Sequence, residues 1–303
     1  MTGRVLEAPP ALAGLYARAA ASLLPLRRLT GAAPATVAHT DVDLSALTVR
    51  LAGVRADPAG LARYRRVCGY SPAPVAATLP ATYPHVLAFP LHLLVMTDAR
   101  FPLPPLGAVH IANTITQLRP IGADEIIDLV VSATSLRPHA RGRQVTLVSR
   151  AEVGGVVVWR GETVLLHRES PPAGVQTTVA PGGPPVPRSV PTGPMTWELP
   201  SDLGRRYAAV SGDRNPLHLY DLTARPLGFS RHIAHGMWTK ARCLAELSNR
   251  LDGRFTVSLT FAKPVTLPGT VGFGARVDGE SIDFAVTSAA DGRPHLLGRV
   301  TPD

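Results

Sequence analysis

Tyr207-Ala-Ala-Val-Ser-Gly-Asp-Arg-Asn-Pro-Leu-His218 is the stretch on which the reading of the chain turns. Ser211-Gly212-Asp213 and Asn215-Pro216 are strong turn formers, so the backbone is tightly specified here. The turn is short enough to bring the Asp213 carboxylate and the His218 imidazole into one small volume. A carboxylate and an imidazole that share one water suit proton transfer near neutral pH. Asn215 sits between them with donor and acceptor groups that can orient either one. Each residue also has a plainer use. Asp213 can cap a short helix starting near Leu217, Asn215 can form an Asx-turn, and His218 can be a partly buried first-turn residue.

Downstream, Gly236–Leu251 carries Met237, Ala241, Leu244, Leu247 and Leu251 at helical spacing. Strand-like runs follow at Thr256–Ala262, Val271–Val277, Ser281–Thr287 and Leu296–Val300; in the first, Val257, Leu259 and Phe261 alternate with polar residues. Upstream, Ser170–Pro194 is crowded with Pro and Gly and reads as a linker or a long surface crossing. It divides the chain into 1–169, a crossing at 170–195, and 196–303. The first part has the same grammar as the last. A helix-like stretch at His85–Thr97, kinked or restarted at Pro90, precedes strand-like runs at Val109–Ile115, Ile126–Thr134, Gln144–Arg150 and Gly155–His167.

The two parts also align in register. Arg119-Pro120-Ile121 matches Lys263-Pro264-Val265 at an offset of 144, and Arg63-Tyr64 with Gly69 matches Arg206-Tyr207 with Gly212 at an offset of 143. Two separate anchors agreeing to within one residue point to duplication of one unit. Under that alignment Asp213 falls on Tyr70, His218 on Val75 and Gly236 near Leu93. Neither Tyr70 nor Val75 can replace an acid–base pair, so the first copy reads as catalytically degenerate.

The string from Tyr207 to His218, with the small residue Ala224 six positions later, resembles the signature of the MaoC-like, or (R)-specific enoyl-CoA hydratase, family. The likeness continues through Gly228-Phe229 and Ile233-Ala234-His235-Gly236-Met237. A match running from Tyr207 to Met237 is far more specific than a short motif. The resemblance implies an α+β double hot-dog fold: two repeats, each a central helix wrapped by a curved antiparallel sheet. It implies that Asp213 and His218 are the catalytic pair, holding a water that adds across the double bond of a trans-2-enoyl thioester. The reverse reaction dehydrates an (R)-3-hydroxyacyl thioester. Asn215, Gly236 and Ser211 are expected to bind or orient the substrate. Gly236 is suited to donate its N–H to the thioester oxygen as that atom gains charge. His235 is expected to be a helix-entry packing residue. The degenerate first half is expected to shape the acyl-tail pocket, with Pro90 and the stretch Phe101–Pro105 making it irregular.

Composition sets the outer limits. At 303 residues and 45% hydrophobic, the chain is long enough for one large or two ordinary domains. Its formal charge is +9, yet 29 of the 31 basic residues are arginine, scattered rather than striped. With aromatics at only 5%, few stacking platforms exist, and no nucleic-acid partner is expected. A modest positive field can help collect an anionic substrate, coenzyme A or an acyl carrier protein, but ordinary surface charge is the plainer reading of these scattered residues. No apolar run is long enough to span a bilayer, and the Ala/Leu-rich Ala11–Leu26 reads as an amphipathic helix rather than a signal peptide. Cys68 and Cys243 are expected to be buried thiols in a reducing cytoplasm. No Gly-rich phosphate loop or metal spacing occurs, so no cofactor or metal is expected. A duplicated unit can stand alone or pair as a homodimer. Two other readings remain open: a hot-dog thioesterase using Glu246, and a non-catalytic partner subunit of a hydratase.

Overall fold

The computed structural model describes residues 4–21, 42–44, 46–72, 78–169, 187 and 189–303. The first part runs β1 (Arg4–Leu6), α1 (Leu12–Ala21), β2 (Val42–Asp43), β3 (Thr48–Val54), α2 (Pro58–Cys68), α3 (Tyr83–Met96), β4 (Val109–Gln117), β5 (Ile127–His139), β6 (Gly142–Val153) and β7 (Val156–Arg168). The last part runs β8 (Met195–Leu199), α4 (Leu203–Ser211), α5 (Asp221–Ala224), α6 (Gly236–Leu247), β9 (Phe255–Phe261), β10 (Gly269–Asp278), β11 (Ser281–Ser288) and β12 (Pro294–Pro302). All the strands join one sheet in the order β1-β3-β5-β6-β7-β4-β9-β12-β11-β10-β8, with β2 also pairing β5. Every pairing is antiparallel except β1 with β3.

Strand order reveals the duplication. From one edge inward the order is β3-β5-β6-β7-β4, and from the other it is β8-β10-β11-β12-β9, the same connectivity met from opposite ends. The copies meet along β4 and β9, where Thr114 pairs with Ser258, its own counterpart at the offset of 144. Their hydroxyls lie 3.2 Å apart, and those of Thr116 and Thr256 lie 2.9 Å apart. Both repeat anchors in the helices converge as well. Gly69 and Gly212 close α2 and α4 in the left-handed conformation, each at φ 77°, where only glycine sits without strain. The buried rings of Tyr64 and Tyr207 lie 6.2 Å apart where α2 packs on α4. The result is a double hot-dog fold, with α3 and α6 as the two central helices.

Those central helices differ in character. α6 buries Met237, Ala241, Leu244 and Leu247, as its spacing predicts, but it ends at Leu247. A 3-10 turn over Ser248–Arg250 follows, the Ser248 hydroxyl bonding back to the Ala245 carbonyl, and Leu251 is already extended. α3 begins at Tyr83, two residues earlier than expected, and runs unbroken through Pro90. Pro90 has no N–H for the Val86 carbonyl, a loss tolerated because burial on nearly every side holds the helix. Most strands run past their predicted C-terminal ends, most of all β5, which reaches His139, whereas β9 stops at Phe261, one residue short of its predicted end. Lys240 on α6 is fully buried at the seam, its Nζ donating to Asn113 Oδ1 at 2.5 Å and to the Val257 carbonyl at 3.1 Å. Cys68 and Cys243 are free and buried, and burial pushes both thiols up. Among the described residues no helix is long and apolar enough to cross a membrane.

Candidate active site

The loop after α4 is fixed by its own short-range bonds. The Ser211 hydroxyl donates to the Tyr207 carbonyl at 2.9 Å and accepts the Asp213 N–H at 3.2 Å. Asp213 Oδ1 accepts the Asn215 N–H at 3.1 Å, so this carboxylate makes an Asx-turn rather than capping the turn at Pro216–His218. Ser211 thus orients the loop from behind and does not line the cavity. On α4, Gly204 lets the His218 backbone come close: a Cβ there would stand 1.9 Å from the His218 carbonyl oxygen.

His218 is buried, and its Nδ1 lies 2.8 Å from the Ile233 carbonyl oxygen. A carbonyl only accepts, so the proton sits on Nδ1 and the neutral ring leaves the Nε2 lone pair free. Burial, then the neighbouring His235, hold the His218 imidazole well below its ordinary pKa, with Asp213 opposing them. Asp213, His218 and His235 each bring a ligand-type atom within 4.8 Å of the others. These are donors a divalent metal accepts, and among the described residues this is the only such trio.

His235 is more intimate with the site than a packing residue. It occupies the N-cap of α6, stacks on His218 at 3.7 Å between ring centres, and donates from Nε2 to the Asp213 carbonyl at 3.0 Å. Burial pushes its pKa down to about 3. Next to it, Gly236 opens α6 beside the cavity, and its N–H has no partner among the described residues. A Cβ at Gly236 would lie 2.8 Å from the Phe261 ring. Asn215 reaches across to the first half, with long contacts to the Gly107 N–H (3.5 Å) and the Ala108 carbonyl (3.4 Å).

These groups border a cavity of about 140 Å³ shared by both halves. Asp213, His218 and Gly236 come from the last part; His85, Phe89 and His92 of α3 come from the first. Pro105 and Leu106, in and just after the irregular stretch Phe101–Pro105, line it too. Exposed Arg141, Arg168 and Lys263 also reach its lining. The counterpart of Asp213 is Tyr70, a phenol; the counterpart of His218, Val75, lies outside the described residues.

A family model described as MaoC like domain matches residues 179–293. The 3-hydroxyacyl-thioester dehydratase X of Mycobacterium tuberculosis (strain ATCC 25618 / H37Rv) is 37% identical over 277 residues, covering 91% of this chain and 95% of the relative. The chain belongs to the MaoC-like family. The crystal structure of HtdX of M. tuberculosis matches this MaoC-like chain with a TM-score of 0.73 and 35% identity, over 84% of this chain and 100% of that one. A further M. tuberculosis protein, described as having a double hot-dog fold, matches at a TM-score of 0.52 and 12% identity, over 86% of this chain and 94% of that one. That last likeness bears on architecture alone.

Several residues of this MaoC-like site escape a sequence reading. Tyr16, on α1, bonds to both sides of Asp213, and nothing local connects it to a loop 196 residues away. His85 and His92 were legible in principle, since residues seven apart share a helix face, but a stretch of apolar neighbours hid them. His110, on β4, carries no signature at all.

Proposed function

We propose that this MaoC-like chain is a hydro-lyase that interconverts (R)-3-hydroxyacyl and trans-2-enoyl thioesters, with Asp213 and His218 as its acid–base pair. One observation carries the reading: a carboxylate and an imidazole with a free Nε2 face one cavity beside the unpartnered Gly236 N–H. An ionised carboxylate and a neutral Nε2 are both acceptors, so one water can donate a hydrogen to each and keep a lone pair for C3. As the water oxygen bonds to C3, one acceptor takes a water proton and returns it to C2. Charge that builds on the thioester oxygen in between falls to the Gly236 N–H at the start of α6. Dehydration reverses each step, C3–O breaking as its oxygen leaves as water.

The relative named 3-hydroxyacyl-thioester dehydratase X supports the reaction class. In the same reading, 1–169 is a catalytically degenerate repeat that holds the acyl tail, 170–195 is a linker and 196–303 carries the chemistry. Exposed Arg141, Arg168 and Lys263 suit the phosphates of coenzyme A or of a carrier-protein arm. The buried free thiols fit a reducing cytoplasm. The thioesterase alternative has less support, because Glu246 pairs with Arg242 and does not line the cavity.

The test is the enoyl-thioester absorbance change on hydration of a trans-2-enoyl-CoA. Asp213→Asn and His218→Ala should each lower kcat/KM by about a hundredfold to ten-thousandfold, with unchanged circular dichroism. Near-wild-type rates in both folded variants would remove the pair from the chemistry. Activity of the purified single chain separates an enzyme from a partner subunit.

A further inference from the structure

The cavity continues from the acid–base pair into the first half along a run of imidazoles. The ring of His110 on β4 lies 6.1 Å from that of His85 on α3, which lies 4.7 Å from His92. His92 Nε2 then meets the Ser149 hydroxyl at 2.6 Å. The Nδ1 of His110 is buried with no hydrogen-bond partner, and neither nitrogen of His85 has one among the described residues. Apolar Phe89, Leu93, Met96 and Leu165 line the cavity around these rings.

A pocket shaped for plain hydrocarbon has no use for these rings. A saturated chain filling the cavity would give their nitrogens no polar partner, which is costly for any buried polar group. Charge recognition is also the wrong description. Burial keeps His85 and His92 neutral, and the nearby Lys240 already gives its hydrogens to Asn113 and Val257. A neutral imidazole offers one N–H and one lone pair, the complement of a hydroxyl, and its N–H alone complements a ketone. A site built to bond such an oxygen discriminates strongly against the chain that lacks it.

We propose that the acyl chain this site selects carries a neutral oxygen function, hydroxyl or keto, beyond C3, bonded by His85 and His110. The inference rests on the reading of the cavity as the acyl-thioester site.

The test uses saturated acyl-CoAs, which bind but cannot be hydrated, so affinity is measured apart from turnover. A hydrocarbon chain is compared by titration calorimetry with chains of equal length bearing one hydroxyl or keto group moved stepwise outward from C5. At least one oxygenated chain should bind the wild-type protein about tenfold tighter or more, equivalent to 1.4 kcal/mol. His85→Leu and His110→Leu, checked by thermal melting, should each pull that preference toward parity. Wild-type binding in which every oxygenated chain is equal to or weaker than the hydrocarbon overturns the inference without any variant, as does a preference that survives both substitutions or a stronger preference for a carboxylate-ended chain. Turnover of the matching 2-enoyl thioesters is read separately. Failure to hydrate any of them, with the binding preference intact, removes the dehydratase reading and leaves the recognition of oxygen standing.

Discussion

The Tyr16 hydroxyl donates to the Gly212 carbonyl at 2.9 Å and accepts the Arg214 N–H at 2.5 Å, so one phenol on α1 brackets Asp213 from both sides. Burial, reinforced by Asp213, pushes its ionisation up, which keeps it a donor at all working pH values. The first half therefore supplies the clamp that sets the height of the Asp213 loop. Tyr16→Phe keeps the ring in place and deletes both bonds. Stability should fall by only about 1 kcal/mol. The rate should fall further, by about tenfold to a hundredfold, because small misplacements of a reacting group are expensive. Steady-state kinetics should place that loss in kcat rather than KM; an unchanged kcat would mean that the loop holds its position without the clamp.

Gly236 offers a second, independent handle on the same chemistry. A Cβ there would stand 2.8 Å from the Phe261 ring, so Gly236→Ala must push that ring and crowd the approach to the first amide of α6. Removing access to an oxyanion donor typically costs about a hundredfold or more in kcat. Phe261→Leu in the same chain makes room for the methyl group. Recovery of fold but not of rate in the double variant would assign the loss to the amide; full recovery of rate would assign it to the ring.

Much of this architecture is legible in the sequence. Ser211-Gly212-Asp213 and Asn215-Pro216 specify their own turn locally, and repeated Arg-Tyr and basic-Pro-aliphatic strings mark a duplication whose partners sit face to face at Tyr64/Tyr207 and Thr114/Ser258. α3 was harder because burial on nearly every side erases the polar face that makes a helical period visible. Tyr16, His110 and the parallel pairing of β1 with β3 depend on contacts far apart in sequence, for which no local spacing exists. The relation of His235 to the site was hidden differently: a residue at a helix entrance looks structural until its ring is found stacked on His218.

The chain's two lysines should behave oppositely. Lys240 is fully buried and donates to acceptors on β4 and β9, the strands that join the halves, whereas Lys263 is exposed. Lys240→Met keeps the bulk but strands those acceptors, and should cost about 1–3 kcal/mol of unfolding free energy in urea. Lys263→Met should change it by less than about 0.5 kcal/mol. Equal effects would show that the seam does not depend on the buried amine.

Acid should weaken the fold through its histidines before its carboxylates. Burial lowers the folded-state pKa of His85 and His218 well below 6.5, and those of His92 and His235 to about 3. The unfolded chain takes up these protons near its ordinary value of about 6.5, while the folded chain refuses them. Below that value the unfolded state holds more protons, so stability is full above about pH 6.5 and declines as pH falls toward the folded-state values. Each such histidine contributes about 1.4 kcal/mol per pH unit once its unfolded form is fully protonated. Ion-paired carboxylates such as Glu125, lowered chiefly by Arg119, act in the same direction but only below their own unfolded value near 4.5. Urea midpoints measured between pH 7.5 and 5 should therefore drop steeply in a window where carboxylates are silent. His92→Gln preserves a partner for Ser149 and removes one titrating group, so its curve should be shallower by one histidine's share. A wild-type midpoint that stays flat across that window would mean that these rings take up protons in the folded protein as readily as in the unfolded chain.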